Sequence, residues 1–178
     1  MKSIQGVCLA AALVLASALP ATAQSLGAGI SFMGDNLGTG VVIDYSKPFQ
    51  SQSTSNTLGW VVDFGYNHKG DGNSLANYGV NTITIQGGVR VAGDAGEKLT
   101  WHGQGLVGLA RSAYSANVVG TNFCDGCSNT NAMLMVGAGV QYALSDSLGL
   151  RGQLDIPIFL GDGSTSTTRF AILLVFAR

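Results

Sequence analysis

Two long stretches near the C-terminal end of the chain, residues 133–144 and 148–160, alternate apolar and polar residues along their whole length. Only residues 145–147 separate them. A period of two over ten or more residues indicates β-strands, and strands of this length are uncommon in soluble domains. One face of each stretch is apolar, while the other carries glycine, glutamine and charged residues. This pattern is typical of a barrel wall with lipid outside and a wet lumen inside.

The N-terminal segment predicts export from the cytoplasm. Lys2 provides a short positive region, residues 7–19 form an apolar core, and Ala21-Thr22-Ala23 is a small-x-small cleavage site. We therefore expect a signal peptide over residues 1–23 and one domain, an outer-membrane β-barrel, over residues 24–178. Charged residues make up 11% of the chain and the formal net charge is −1. This composition favours a membrane over water and gives no electrostatic reason to expect nucleic-acid binding.

The alternation predicts an all-β fold, an eight-stranded antiparallel up-and-down transmembrane β-barrel, with the even strand number of bacterial barrels. The predicted strands are residues 26–33, 39–48, 57–68, 79–92, 98–113, 131–144, 148–160 and 167–178. The predicted outer loops are 34–38, 69–78, 114–130 and 161–166, and the predicted periplasmic turns are 49–56, 93–97 and 145–147. Arg111 falls on the apolar face of the fifth strand, which predicts a bulge or a strand end there.

The phase of the strands places three acids, three arginines and one histidine in the lumen. This predicted polar network consists of Asp44, Asp63, Arg90, His102, Arg151, Asp155 and Arg169. A hairpin centred near residue 162 sets Asp155 opposite Arg169, where opposite charges are favourable. An eight-stranded barrel has an interior about wide enough for side chains to fill. We therefore expect a polar plug rather than a wide pore.

Five aromatic residues fall near the periplasmic ends of their strands and point outward in this topology. They are Tyr45, Trp60, Trp101, Tyr142 and Phe176. Interfacial belts favour such rings, because the apolar ring lies in lipid while its polar edge meets the headgroups. We expect these residues to form an aromatic belt, although β-strands are also rich in aromatic residues in general.

The segment Met135-Val136-Gly137-Ala138-Gly139-Val140-Gln141-Tyr142-Ala143-Leu144-Ser145-Asp146-Ser147-Leu148-Gly149-Leu150-Arg151 resembles the penultimate hairpin of OmpA-like and opacity-type outer-membrane barrels. The resemblance is to the barrel domain only. It implies a small barrel in the outer membrane of a Gram-negative bacterium, inserted by the outer-membrane assembly machinery, which reads the last strand. Phe170, Ile172, Leu174 and Phe176 resemble that signal. Members of these families act in adhesion, in envelope stability or as weak pores.

Cys124 and Cys127 lie in the longest predicted outer loop. In an oxidising compartment two such cysteines most simply form a disulfide. A redox pair remains an alternative, although it needs a helix N-terminus to lower the thiol pKa. A metal site is another alternative and needs further ligands, and two free thiols are a third. We predict a disulfide and no metal or cofactor.

The functional prediction is a structural or surface-interaction protein of the adhesion type, which contacts a surface ligand or host partner through its outer loops. The alternative is a narrow porin for ions or small solutes. A soluble secreted barrel of the lipocalin type is less favoured, because it would bury Leu134, Val136, Val140 and Ile156. No enzyme is predicted, since neither His68 nor His102 belongs to a nucleophile motif.

Overall fold

The computed structural model describes residues 24–34, 37–49, 56–72, 76–118, 121–161 and 164–177. At residues 76–77, 117–118 and 121–126 it describes the backbone only. The predicted signal peptide, residues 1–23, lies outside the described residues, as do the central residues of the first predicted periplasmic turn. The described strands are β1 Ser25–Met33, β2 Gly38–Pro48, β3 Asn56–Gly72, β4 Ala76–Asp94, β5 Leu99–Val118, β6 Thr121–Ala143, β7 Leu148–Leu160, β8 Thr165–Ser166 and β9 Arg169–Ala177.

These strands form one closed antiparallel sheet, which confirms the predicted eight-stranded barrel. Sequential strands pair with one another, β9 pairs with both β1 and β7, and β6 pairs with β7 to close the wall. The short β8 and β9 together make the eighth strand of the barrel, hereafter the eighth stave. The strands are staggered around the barrel. In the pairing through β2 to β6, Gly27 corresponds to Phe159 on β7, whereas in the pairing through β9 it corresponds to Gly149 on the same strand. This stagger tilts the strands and gives an interior that side chains can fill.

The eighth stave is interrupted at Thr167 and Thr168, and Pro157 on the neighbouring β7 accounts for the break. The carbonyl oxygen of Pro157 accepts a hydrogen bond from the Thr167 backbone N–H at 3.0 Å. In an antiparallel ladder the N–H and C=O of one residue point to the same neighbour. Proline has no N–H to return this bond, so the ladder between β7 and the last stave is incomplete at this position.

Outward and inward residues alternate along each barrel strand, as the sequence predicts. On β3, Val62 and Phe64 are 41% and 43% exposed, while Asp63 between them is 1% exposed. The soluble alternative requires the opposite phase. Its four candidate core residues on β6 and β7 are instead 41–53% exposed on the outer surface; they are Leu134, Val136, Val140 and Ile156. The outer surface is therefore an apolar belt, and the structure excludes a soluble barrel with an apolar core. No helix that is long and apolar enough to cross a membrane occurs in the described residues.

Two predicted outer loops are wrong, because the structure continues them as strands. Most of the predicted loop 114–130 belongs to β5, which ends at Val118, and to β6, which begins at Thr121. The predicted loop 69–78 is likewise divided between β3 and β4. The sequences of both segments lack the regular alternation of apolar and polar residues that marks a half-buried strand. Backbone pairing to neighbouring strands does not need that alternation, and it extends the sheet beyond the apolar belt.

The predicted irregularity at Arg111 is also wrong. Arg111 pairs in register with Ile83 on β4 and with Thr130 on β6. The strand simply runs on past the apolar belt, so an arginine here needs no change of phase. The register of β5 with β6 shifts farther along, between Tyr114 and Asn117.

Candidate functional site

The interior of the barrel holds all seven ionisable residues that the strand phase assigns to the lumen. Each is less than 7% exposed. They come from six strands, so closure of the barrel brings together residues that are far apart in sequence; they are Asp44, Asp63, Arg90, His102, Arg151, Asp155 and Arg169.

One carboxylate serves two guanidinium groups in the part of the interior nearer the periplasmic turns. Asp44 Oδ2 accepts hydrogen bonds from Arg90 Nη2 and from Arg151 Nη1, each at 2.5 Å. Arg151 also donates through Nε and Nη2 to Gln141 Oε1, at 3.1 and 2.9 Å. Gln141 lies directly opposite Arg151 in the β6–β7 ladder. This cluster of Asp44, Arg90 and Arg151, hereafter the periplasmic cluster, carries a net formal charge of about +1.

The arrangement is reversed in the part of the interior nearer the outer loops, where one guanidinium serves two carboxylates. Arg169 donates through Nη1 and Nη2 to the two oxygens of Asp63, at 2.8 and 2.9 Å, and through Nε to Asp155 Oδ2 at 3.0 Å. Asp155 lies opposite Arg169 in the β7–β9 ladder, as predicted. This cluster of Asp63, Asp155 and Arg169, hereafter the outer cluster, carries a net formal charge of about −1.

Buried glutamines join and complete the two clusters. Gln104 Oε1 accepts from Arg90 Nε and Nη2 at 3.0 and 2.6 Å, while Gln104 Nε2 donates to Asp155 Oδ1 at 3.0 Å. Gln86 donates to Asp63 at 3.1 Å, and Gln153 donates to Asp155 at 2.7 Å. Sequence reasoning had omitted these glutamines from the network because it selected charged groups. Their position on the inward face of β4, β5 and β7 was the available signal.

His102 lies beside this network without a hydrogen bond to its Nε2 in the part of the chain that the structure describes. Its ring occupies the space over Gly139, where a Cβ on that glycine would meet His102 Nε2 at 2.9 Å. Gly139 therefore provides the room in which the imidazole fits against β6. His102 is buried, and it packs against the neighbouring strand.

A group of apolar side chains, hereafter the apolar cap, lies on the outer-loop side of the outer cluster. It consists of Met33, Ala110, Met133 and Phe159, with Leu37 packed against it. Met33 is the last residue of β1 and Phe159 is the penultimate residue of β7, so the cluster lies at the outer end of the barrel. The sequence analysis missed this cap, because it treated the inward face as uniformly polar. Apolar side chains therefore meet inside the outer end of the barrel.

A cavity of about 470 Å³ lies at the opposite end of the lumen, lined by the strand ends Ser25, Pro48 and Ala177 and reaching inward to Arg90, Arg151 and His102. We call it the periplasmic vestibule. The ion pairs of the periplasmic cluster form its inner limit.

The five predicted belt residues lie at this same end of the barrel. Trp101, Tyr142 and Phe176 are exposed on the outer surface, whereas Tyr45 and Trp60 are half-buried. The rings of Tyr45 and Trp60 contact each other with centroids 5.0 Å apart, tilted by 54°. The Tyr45 hydroxyl also donates a hydrogen bond to Gln24 Oε1.

Cys127 is disulfide-bonded, while the side chain of Cys124 lies outside the description. The predicted Cys124–Cys127 pair therefore stays a prediction. The backbone shows that Cys127 is paired with Tyr114 and Cys124 with Ala116, so three steps on β6 match two steps on β5. This extra residue is a β-bulge within the projecting part of the β5–β6 hairpin. Among the residues described, no group of three His, Cys, Asp or Glu side chains is placed to hold a metal ion.

The β5–β6 hairpin leaves one sheet edge without a neighbour. Strand β6 pairs with β5 as far as Thr121, but its pairing with β7 begins only at Ala132. Within the described ranges, residues 121–131 therefore form an edge, and the exposed side chains of residues 127–130 follow it. An exposed edge of this length presents backbone donors and acceptors to other chains.

Comparison with solved structures identifies the fold. The attachment invasion locus protein Ail of Yersinia pestis superposes with a TM-score of 0.60 at 15% identity, covering 87% of this chain and 97% of Ail. Neisserial surface protein A gives a TM-score of 0.55 at 15% identity, covering 87% and 95%. The N-terminal barrel domain of Pseudomonas aeruginosa OprF gives 0.52 at 13% identity, covering 87% and 98%. No protein-family model matches the chain, and no curated protein matches it in sequence.

The fold is therefore that of the small bacterial outer-membrane β-barrels, the class that the sequence resembles. The apolar belt is the surface that such a fold presents to lipid.

Proposed function

We propose that this protein is an outer-membrane barrel whose filled interior makes it a structural scaffold and whose projecting β5–β6 hairpin makes contacts at the cell surface. The observation that supports the scaffold role is the network of buried ion pairs in the lumen. The two charge clusters follow one another along the interior, Gln104 links them, and the apolar cap lies at the outer end. Conduction would require breaking buried ion pairs and wetting an apolar layer, and both steps are costly.

The contact role follows from the free edge of β6. An extended segment of another protein can add a strand to such an edge through backbone hydrogen bonds. Ail has been crystallised with the heparin analogue sucrose octasulfate, a polyanion. Residues 112–130 of this chain contain no Lys or Arg. For this hairpin, an extended protein segment is therefore a better-matched partner than a sulfated glycan.

Three further parts of the proposal rest on sequence. We expect residues 1–23 to direct export, and the outer-membrane assembly machinery to insert the chain. Phe170, Ile172, Leu174 and Phe176 support that insertion, since all four are exposed on the lipid-facing side of β9. The aromatic belt would contact the periplasmic-side headgroups. We propose a non-enzymatic protein that needs no cofactor.

A narrow pore is the second candidate, and the periplasmic vestibule favours it. The vestibule admits water from one side as far as Arg90 and Arg151. In a pore, rearrangement of Asp44, Arg90 and Arg151 would set the ion selectivity. Planar-bilayer recording of the refolded mature chain separates the candidates. The scaffold predicts no steady conductance above the bare bilayer, whereas discrete openings that change in size in Arg151→Gln would establish the pore.

The contact role is tested by shortening the hairpin. Ala113 and Ser128 are already partners across β5 and β6, so an Asn-Gly turn in place of residues 114–127 closes the hairpin there. Cells that display this variant should lose adhesion to surfaces coated with extracellular-matrix proteins, and the barrel should still form. The matched control shortens the β3–β4 hairpin between Lys69 and Val80, which are also partners. Equal adhesion by all three proteins would contradict the contact role.

A further inference from the structure

A group of polar side chains lies on the outer surface of β3 to β6, immediately beyond the apolar belt. We call it the outer polar patch; it consists of Tyr66, His68, Asn81, Arg111, Ser115 and Ser128. The pairing places His68 beside Asn81, and Asn81 level with Ala113 and Ser128. Tyr66 and Arg111 lie one pair nearer the belt, on either side of Ile83. These positions share the outward phase of Phe64, Ile85 and Leu109, so the patch continues the lipid-facing surface.

The patch lies at the depth where a membrane changes from hydrocarbon to headgroups. On β5 the large outward side chains from Leu99 to Leu109 are 37–61% exposed and apolar, and Arg111 is the next outward residue. Ten residues at about 3.3 Å each, tilted by about 40°, span about 25 Å. That height matches the apolar band of an outer-membrane barrel. The Arg111 guanidinium therefore stands at the upper boundary of the band.

Arg111 has no carboxylate partner among the described ion pairs, although it lies at the edge of the apolar belt. Its Nη2 donates to Ser128 Oγ at 3.3 Å. The ion pairs of the described residues all lie in the lumen, and none includes Arg111. The interior arginines each contact at least one carboxylate at 2.5–2.9 Å. Arg111 thus retains donors for a further ligand, in the planar fork that binds a phosphate group.

The remaining patch residues are held in place by hydrogen bonds and by close contact with the sheet. Asn81 Oδ1 accepts hydrogen bonds from the Tyr66 hydroxyl at 2.9 Å and from His68 Nδ1 at 2.8 Å. Farther up the sheet, Gly70 and Gly79 are paired and carry no side chain. A Cβ on Gly70 would meet His68 Nε2 at 3.3 Å, and a Cβ on Gly79 would meet Ser115 Oγ at 2.9 Å. The imidazole and the hydroxyl group therefore lie close over the two glycines, which hold these polar groups against the sheet.

We propose that the outer polar patch binds the phosphate group of a lipid in the outer leaflet. Arg111 supplies the charge, and Ser128, Ser115 and His68 supply further hydrogen-bonding groups on the same outward face. The acyl chains of the same lipid would lie on the apolar belt below, along Ile83 and Leu109, which are 44% and 52% exposed. Charge complementarity and continuity with the apolar belt both favour a lipid over a soluble anion.

Native mass spectrometry of the mature barrel in neutral detergent tests the proposal. The probe is phosphatidic acid, compared with diacylglycerol of the same acyl chains. We expect phosphatidic acid to bind and diacylglycerol to bind at least about tenfold more weakly, since a charge-assisted contact contributes a factor of that order. Arg111→Gln should weaken phosphatidic acid binding about tenfold, and Arg111→Lys should restore part of the loss.

Lys47→Gln is the matched control, because it removes one outward cation at the opposite rim, beside Trp60. It should leave the first binding event unchanged, and a mobility difference between unboiled and boiled samples of Arg111→Gln should verify that this variant has folded. Equal weakening by both Gln variants, or no weakening by either, would overturn the proposal. Displacement of the lipid by equimolar inorganic phosphate would overturn it too, because the patch would then be a site for a soluble anion.

Discussion

The two charge clusters of the interior are mirror images in composition. In the periplasmic cluster one carboxylate, Asp44, serves two arginines, whereas in the outer cluster one arginine, Arg169, serves two carboxylates. The first adjoins the vestibule, and the second lies under the apolar cap. Gln104 joins an arginine of one to a carboxylate of the other. Neither cluster is neutral alone, so the interior balances its charge only as a whole, and the shared member of each cluster should matter most.

The largest effect is expected when a shared residue is neutralised. Arg169→Gln leaves Asp63 and Asp155 buried without their cation, and Asp44→Asn leaves Arg90 and Arg151 buried without their anion. Each change should lower the free energy of unfolding by about 3–5 kcal/mol, since an uncompensated buried charge remains. Urea titration of the barrel in lipid vesicles measures this loss. A loss no larger than that of Arg151→Gln would contradict the expectation that the shared residue of each cluster contributes most to stability.

A smaller effect is expected from a residue that is not shared. Arg151→Gln removes one of two cations and leaves Asp44 paired with Arg90, so the periplasmic cluster becomes neutral. The unfolding free energy should fall by about 1.5–3 kcal/mol, the usual contribution of a hydrogen bond to a charged group. The same titration compares it directly with Asp44→Asn. If Arg151→Gln proves the more damaging, Asp44 is not the centre of its cluster.

Removing the hydrogen-bonded link between the clusters should lower the free energy of unfolding by a still smaller amount. Gln104→Leu keeps a similar volume and leaves both clusters with their own ion pairs, but it removes the acceptor of Arg90 and a donor to Asp155. We expect a loss of about 1–2 kcal/mol. Combining Gln104→Leu with Arg151→Gln sharpens the comparison, because additive losses would show that the clusters act independently. Independence would contradict a single balanced interior.

The smallest effect is expected outside the barrel. Replacing Cys124 and Cys127 by serine changes only the projecting β5–β6 hairpin, so the barrel's unfolding free energy should change by less than about 0.5 kcal/mol. Limited proteolysis should instead cut the hairpin faster. A large loss of barrel stability would mean that the hairpin and the interior are not separate, as the comparison assumes.

The sequence predicted correctly those strand segments whose two faces lie in different environments. Val62, Asp63 and Phe64 alternate between lipid and lumen, so parity alone assigned them. Asp155 and Arg169 were also paired correctly, because a single hairpin sets them opposite each other. These are local relationships along one or two strands.

What the sequence could not predict depends on closure or on backbone pairing alone. Asp44 is on β2, whereas its two arginines are on β4 and β7, and only the stagger of the closed barrel brings them together across the lumen. The length of β5 and β6 was missed because the sequence of residues 114–130 lacks the regular alternation that marks a half-buried strand. The apolar cap was missed because the inward positions were expected to be polar, whereas Met133 and Phe159 are inward and apolar.

The most direct test of the filled interior is the coupling between Arg169 and Asp63, which closure places in contact from 106 residues apart. A double-mutant cycle of Arg169→Gln, Asp63→Asn and their combination, measured as unfolding free energies in vesicles, isolates that coupling. The structure predicts a coupling of about 2–3 kcal/mol, with the double variant more stable than the sum of its single losses implies. Losses that simply add would show that the two side chains do not meet, and would contradict a lumen closed by paired charges.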